Sequence, residues 1–288
     1  MNYVPGGNAA VDAVARRIDE ISTLPHVAIR ILQIANDPTS CAADLTIAME
    51  SDTALSARVL RFVNSSAYGL REKITNLQQA IAYLGVKAIR NLALTASVSE
   101  LFKVDETIGT YKRSELWRHL VSVAVIARLI ARKLGHTNAE DMFLAGLLHD
   151  IGIILEDQHI HTSFCRVIDR LTDETPLCAV EKNVLAFDHS MLGECLGKLW
   201  GFPEGVKDTI RYHHMSVNYR GKHADVVRCV ELANALCSNK GITSVGRNLT
   251  VLSKQLLQSL RITPPLLRDI MTLFDEELED HKHLIALA

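Results

Sequence analysis

Residues 139–152 read AEDMFLAGLLHDIG, and this stretch predicts a helix that presents two polar side chains at its end. Asn138 stands where a capping residue is expected for a helix over 139–148, and the last turn leads directly to His149 and Asp150. An aspartate beside a histidine suits a metal site, because its two oxygens can hold two ions while the imidazole ligates one. The stretch therefore indicates a helical framework that carries a candidate metal site.

The same helical periodicity extends over nearly the whole chain. Residues 18–101 predict five or six short helices with tight connections, and a long helix follows that ends at Gly135. No convincing alternation of apolar and polar residues indicates a β-strand. The sequence therefore predicts an all-α protein.

Changes in polarity divide the chain into four segments. A polar stretch from Phe102 to Tyr111 suggests a boundary between two helical halves, at residues 18–110 and 111–238. Residues 1–17 form an N-terminal extension in this interpretation. Residues 239–288 form a C-terminal helical extension with one or two amphipathic helices and an acidic patch.

Composition excludes several classes of protein. The 288 residues are 48% hydrophobic and carry a formal net charge of −2, which is unlike a disordered chain and unlike a dedicated nucleic-acid binder. No apolar stretch approaches the roughly 20 residues that a membrane span requires, and the N-terminus shows no secretory signal. Six isolated cysteines suggest free thiols in a reducing compartment. We therefore expect a cytoplasmic protein with no membrane or direct nucleic-acid partner.

The twelve histidines are unevenly distributed. Five of them fall between residues 119 and 214, at helix boundaries or on amphipathic helices: His119, His149, His189, His213 and His214. Together with Asp150 they would suit iron, manganese or zinc better than calcium or magnesium. A single histidine on a helix is more often a core or surface residue. Residue types and spacing alone therefore leave both interpretations open.

Longer motifs resemble a known family. Residues 147–152, LLHDIG, resemble the centre of the HD superfamily of metal-dependent phosphohydrolases, and Trp117-Arg118-His119 matches its first histidine. The chain also resembles an HDOD domain, the HD-related output domain of bacterial signalling proteins, over about residues 18–238. The matching motifs are residues 24–28, 36–38, 64–69, 80–85, 188–193, 200–203 and 212–214. This resemblance implies an HD-type helical bundle preceded by a helical N-terminal subdomain.

The resemblance also implies a ligand set, with one departure. The superfamily's metal ligands fall on six residues of this chain: His119, His149, Asp150, His189, His213 and His214. The last expected ligand is an aspartate, and Asn234 stands at its position. Because an amide oxygen is a weaker ligand than a carboxylate, we expect one or two weakly held ions, with His119, His149 and Asp150 as the more damaged half.

Two carboxylates could offset the missing charge. Glu181 and Asp188 are near in sequence, although Asp188 is equally suited to cap a helix. A second departure is Ile153, which stands where related HD-GYP phosphodiesterases have a lysine that can hold a phosphate. Arg118 and Arg211 are the nearby cations that could compensate.

These features leave two hypotheses on function. The first is a bacterial regulatory module without efficient hydrolase activity and with no assigned catalytic residue. Its partners would be sensory or receiver-domain signalling proteins or a small nucleotide-like ligand. The alternative is a metal-dependent phosphohydrolase that acts on a nucleotide or a cyclic dinucleotide.

Overall fold

Helices account for almost all of the regular structure. A computed structural model describes residues 9–21, 24–36, 39–65 and 68–288, so parts of the matching motifs 36–38 and 64–69 lie outside the described residues. The helices are α1 (Ala9–Ile21), α2 (His26–Asn36), α3 (Ala42–Glu50), α4 (Thr53–Val63), α5 (Leu77–Leu84), α6 (Val86–Val98), α7 (Arg113–Lys133), α8 (Ala139–Leu148), α9 (Ile151–His159), α10 (His161–Arg170), α11 (Leu177–Leu185), α12 (His189–Leu199), α13 (Glu204–Tyr212), α14 (Ala224–Asn239), α15 (Lys254–Ser259), α16 (Pro264–Asp280) and α17 (Lys282–Ile285). The all-α prediction is confirmed.

One small hairpin interrupts the helices. Strand β1 (Thr107–Ile108) pairs antiparallel with β2 (Tyr111–Lys112), within the polar stretch that we expect to separate the two halves. Gly109 lies in the turn with a φ of 54°, a conformation that glycine adopts at little cost. Two-residue strands are too short to show an alternating pattern, which is why the sequence did not reveal them.

Helix α7 forms the centre of the fold. Most of its residues are buried, and it packs against α8, α14 and α16. Helix α8 begins at Ala139 as predicted, although the Asn138 side chain makes no capping hydrogen bond. This packing places the second turn of α7, which carries His119, beside the end of α8, with the His119 and His149 rings 5.3 Å apart.

Helix α9 was not predicted, and it brings two parts of the site together. Its first turn lies against the start of α12 at Gly152, where a Cβ atom would approach the carbonyl oxygen of His189 to 2.0 Å. Only glycine permits this close approach of the two backbones. The contact places Asp150, just before α9, beside His189.

Both ends of the chain pack on the central bundle. Helix α1 crosses the expected boundary after residue 17 and packs against α12. The C-terminal segment holds three helices rather than one or two, and the indole N–H of Trp117 donates to the carbonyl oxygens of Leu284 and Ile285. Over the described residues, no helix is both long and apolar enough to cross a bilayer.

Candidate metal centre

Two predicted ligands face one oxygen of Asp150. His119 comes from α7, and His149 directly follows α8. Their Nε2 atoms lie 3.7 Å and 3.3 Å from Asp150 Oδ2. We call His119 and His149 the Oδ2 side of the cluster.

Three more predicted ligands lie at the other oxygen. The Nε2 atoms of His189 and His213 lie 3.3 Å and 3.1 Å from Asp150 Oδ1. His214 Nε2 is 3.0 Å from His189 Nε2. We call these three histidines the Oδ1 side, and together the two sides form the histidine cluster. The five histidines that the sequence singled out therefore meet around the carboxylate of the sixth residue, Asp150.

Backbone carbonyls fix the orientation of three rings. The Nδ1 atoms of His119, His149 and His213 lie 2.8 Å, 2.7 Å and 3.0 Å from the carbonyl oxygens of Ile242, Gly146 and Ile210. A carbonyl can only accept, so each Nδ1 carries the proton and each Nε2 presents its lone pair. This is the arrangement in which imidazoles ligate metal ions.

The inward-facing atoms have a donor set that fits a cation. Within the described parts of the chain, the Nε2 atoms of His119, His149 and His213 and the Oδ1 atom of Asp150 have no hydrogen-bond partner. All four residues are buried. Lone pairs that face lone pairs in a buried site are costly unless a proton or a metal ion lies between them. Imidazole and carboxylate ligands suit zinc, iron or manganese.

Burial and neighbouring charges set the protonation of the cluster. Burial, together with nearby His149, lowers the pKa of His119 to about 4, which keeps its imidazole neutral. Burial alone would raise the pKa of Asp150, but His149 and the other facing histidines hold it well below its ordinary value. Asp150 is therefore an ionised carboxylate at neutral pH.

A second carboxylate supports His189 from outside the cluster. Glu181 on α11 accepts from His189 Nδ1 at 2.8 Å and from the His189 backbone N–H at 3.0 Å. Burial acts to lower the pKa of His189, but the Glu181 charge raises it well above its ordinary value. Glu181 therefore orients a predicted ligand, in the way that outer carboxylates orient metal-bound histidines.

Asp188 is engaged elsewhere. Its side chain caps α12 by accepting from the backbone N–H of Met191 at 2.9 Å, and it pairs with Lys182 at 2.7 Å. The capping alternative is therefore the one that the structure supports for this residue.

Asn234 lies on α14, where the sequence placed a weakened ligand. It is 3% exposed, and its Oδ1 accepts from the hydroxyl of Ser238 at 3.3 Å. Helix α14 packs against α7 and α8, which carry or lead into the two histidines of the Oδ2 side. An amide thus occupies this position beside the cluster without adding negative charge.

The chain matches a known protein family. The family model of the HDOD domain matches residues 21–216. The chain belongs to the HDOD domain family. The predicted family is thereby confirmed.

Two bacterial relatives are similar to this HDOD protein over part of their length. An uncharacterized protein of Treponema pallidum (strain Nichols) is 23% identical over 228 residues, which cover 77% of this chain and 43% of that protein. Uncharacterized protein YuxH of Bacillus subtilis (strain 168) is 29% identical over 129 residues, which cover 45% of this chain and 28% of that protein. The HDOD protein therefore spans less than half the length of either relative.

Solved structures share its fold. An HDOD domain protein with unknown function from Geobacter sulfurreducens is 28% identical with a TM-score of 0.74, covering 96% of this chain and 98% of that one. A Marinobacter aquaeolei VT8 protein, provisionally named for signal transduction, is 22% identical with a TM-score of 0.76 (96% and 64% covered). A Shewanella amazonensis SB2B protein, provisionally named a phosphohydrolase, is 21% identical with a TM-score of 0.69 (98% and 97% covered). The last two show the fold alone.

A cavity of about 300 Å³ adjoins the Oδ1 side of the HDOD cluster. Its lining includes Asp150, His214, Asn234, Glu231 and Arg247. Glu231 is half-buried and accepts from the backbone N–H of Ser216 at 2.8 Å. Glu231 and Arg247 were not predicted as site residues, because neither belongs to a motif and only the fold brings them beside the histidines.

The two arginines named as compensating cations are engaged away from this cavity. Arg118 pairs with Glu115 at 3.3 Å and is 46% exposed. Arg211 pairs with Glu194 at 3.3 Å. Ile153 is fully buried and carries no charge that could hold a phosphate. Arg247, which pairs with Asp173, is the arginine that lines the cavity within the described chain.

Proposed function

We propose that this HDOD protein is a regulatory module that holds a divalent transition metal in its histidine cluster and responds to a small anionic ligand in the adjoining cavity. The supporting observation is the set of buried, unpartnered lone pairs around Asp150. When bound, iron, manganese or zinc would supply Lewis acidity at the floor of the cavity. The protein's own residues orient the rings and exclude bulk water from all but His214.

Low hydrolase activity follows from the charges of the site. Two divalent ions bring four positive charges, and Asp150 is the only carboxylate among the six predicted ligands. Asn234 adds no charge, and Glu181 accepts a hydrogen bond from His189 Nδ1 instead of facing the metal position. We therefore propose that one ion binds to the Oδ1 side and that a second ion binds only weakly to the Oδ2 side.

The cavity favours a nucleotide-like ligand. Arg247 supplies a guanidinium at its lining, and such a group pairs well with phosphate or carboxylate. Asp173 holds this guanidinium while no anion is present, and Asp173 is itself 81% exposed and free to release it. Signalling proteins would then recognise the surface that changes when the ligand binds.

An activity assay tests the proposal against the alternative of a phosphohydrolase. Metal-loaded protein and its His149→Ala variant are incubated with nucleotides, cyclic dinucleotides and a generic phosphodiester. We expect no turnover above that of the variant. A ligand that binds should bind about tenfold or more weakly to Arg247→Gln, because a charge-assisted contact is lost.

Metal-dependent turnover would support the phosphohydrolase alternative. Five imidazoles around one carboxylate also resemble what a two-ion hydrolase requires. Metal-dependent turnover that disappears in His149→Ala would establish the phosphohydrolase and reject the regulatory proposal.

A further inference from the structure

A second cavity, of about 280 Å³, lies between α6 and the beginnings of three later helices. Lys87 and Arg90 line it from α6, and Asp141 lines it from the first turn of α8. Gly205 and Val226 line it from the first turns of α13 and α14. We call it the junction cavity, because α6 belongs to the first predicted half of the chain and the other three helices belong to the second.

The three helices that begin at the junction cavity lack side-chain caps. Asn138, Pro203 and His223 occupy the N-cap positions of α8, α13 and α14, and none of them caps its helix with a side-chain hydrogen bond. Within the described chain, the backbone N–H groups of Gly205 and Val226 have no acceptor. Free N–H groups in the first turn of a helix lie at the positive end of its dipole and favour an anion.

Arg90 brings a buried guanidinium with an unused donor to this cavity. Its side chain is only 7% exposed. Its Nε and Nη2 atoms donate to Asn91 Oδ1 at 3.1 Å and 2.9 Å, and Nη2 also donates to Asp141 Oδ1 at 3.3 Å. Among the described residues, Nη1 has no acceptor. Because buried polar groups are nearly always hydrogen-bonded, this nitrogen indicates that an acceptor belongs in the cavity that Arg90 lines.

Positive charge exceeds negative charge along the lining. Asp141 is the carboxylate shared by both cations of α6, since its Oδ2 accepts from Lys87 Nζ at 2.7 Å and its Oδ1 accepts from Arg90. The other carboxylate of the lining, Glu204, pairs with Lys207 at 2.6 Å. One carboxylate therefore faces two cations, and the remaining positive charge favours an additional anion.

The geometry points to an anion site in the junction cavity that takes a phosphate group, from inorganic phosphate or from a small phosphate ester. The Arg90 guanidinium and the Lys87 ammonium would pair with its oxygens, and the N–H groups of Gly205 and Val226 would donate to it. Lys87 is 55% exposed, so it is free to turn from Asp141 toward the bound group.

This site is separate from the histidine cluster. Helices α8 and α13 begin at the junction cavity and end just before His149 and His213. They contain 10 and 9 residues, so about 14–15 Å of helix lies between the two sites. The bound phosphate would join α6 to the helices that lead into the cluster, whether or not the cluster holds a metal ion.

NMR titration of the full chain with inorganic phosphate tests the site directly. The backbone amide signals of Gly205 and Val226 should shift and reach saturation, whereas chloride at the same ionic strength should leave them unchanged. Glycerol 3-phosphate is the second probe. Tighter binding of the ester would identify a phosphorylated small molecule as the ligand, and tighter binding of inorganic phosphate would identify the free ion. Signals that neither probe shifts would overturn the proposal.

Two substitutions at the lining should change the affinity in opposite directions. Lys87→Gln should weaken phosphate binding about tenfold, because a charge-assisted contact is lost. Asp141→Asn should strengthen it about threefold, because the carboxylate that competes for both cations is removed. The exposure of Lys87 and Asp141, at 55% and 37%, leads us to expect folded variants, which circular dichroism checks.

Lys198→Gln is the matched control, because Lys198 is a comparably exposed lysine that pairs with Glu194 away from this cavity. It should bind phosphate as tightly as the unaltered protein. Equal affinity in Lys87→Gln and the unaltered protein would overturn the proposal. Binding that Arg247→Gln abolishes and Lys87→Gln leaves unchanged would also overturn it, because the phosphate would then lie beside the histidine cluster.

Discussion

Histidine side chains form both sides of the cluster around Asp150, but different groups orient these histidines on the two sides. On the Oδ2 side, backbone carbonyls orient two fully buried histidines. On the Oδ1 side, a buried carboxylate orients His189, and an exposed histidine opens toward the cavity. A metal ion on the Oδ1 side would therefore be accessible to a ligand in the cavity, whereas the Oδ2 side is enclosed and short of negative charge.

Replacing Asp150, the residue that both sides share, should weaken metal binding on both sides. In Asp150→Asn, both sides lose the carboxylate that they share, and we expect metal affinity to fall by at least about 100-fold, or ~2.7 kcal/mol. Elemental analysis of the purified variant measures the metal that it retains. Asp173→Asn, which alters an exposed carboxylate, is the control and should retain its metal. Unchanged metal content in Asp150→Asn would show that the cluster is not a metal site.

Removing the charge of Glu181 should weaken metal binding on the Oδ1 side and leave the Oδ2 side unchanged. In Glu181→Gln, His189 keeps a hydrogen-bond partner but loses the charge behind it. We expect the affinity of the Oδ1 side to fall about 10–100-fold, the range that outer carboxylates contribute. Calorimetric titration should show that the weak Oδ2 side is unchanged. An equal loss on both sides would contradict the assignment of Glu181 to one of them.

Restoring the missing carboxylate should make the two sides more alike. Asn234→Asp adds one negative charge to a residue that lines the cavity together with Asp150, and we expect the second ion, which the Oδ2 side holds weakly, to bind about tenfold more tightly, or ~1.4 kcal/mol. The number of tightly held ions per chain should rise from one to two. Two tightly held ions in the unaltered protein would refute the predicted weakness of this side.

The sequence was informative where a pattern is local. The helical period predicted the all-α fold, and the bounds of α8 followed from its apolar run and the polar residues around it. Helix α9 escaped prediction although it directly follows the His149-Asp150 pair. The hairpin escaped because its strands are two residues long. Asp188 remained ambiguous until its bond to the Met191 backbone showed that it caps α12.

The sequence by itself determined which residue types meet at the site, because the motifs carry His119, His149, Asp150 and the later histidines in a recognisable order. Only the tertiary structure decided how they are arranged. Gly152 lets two backbones touch, Ile242 offers a carbonyl from the C-terminal segment, and Arg247 reaches the cavity from the same segment. Contacts of this kind depend on packing between distant segments, and no local pattern of residues encodes them.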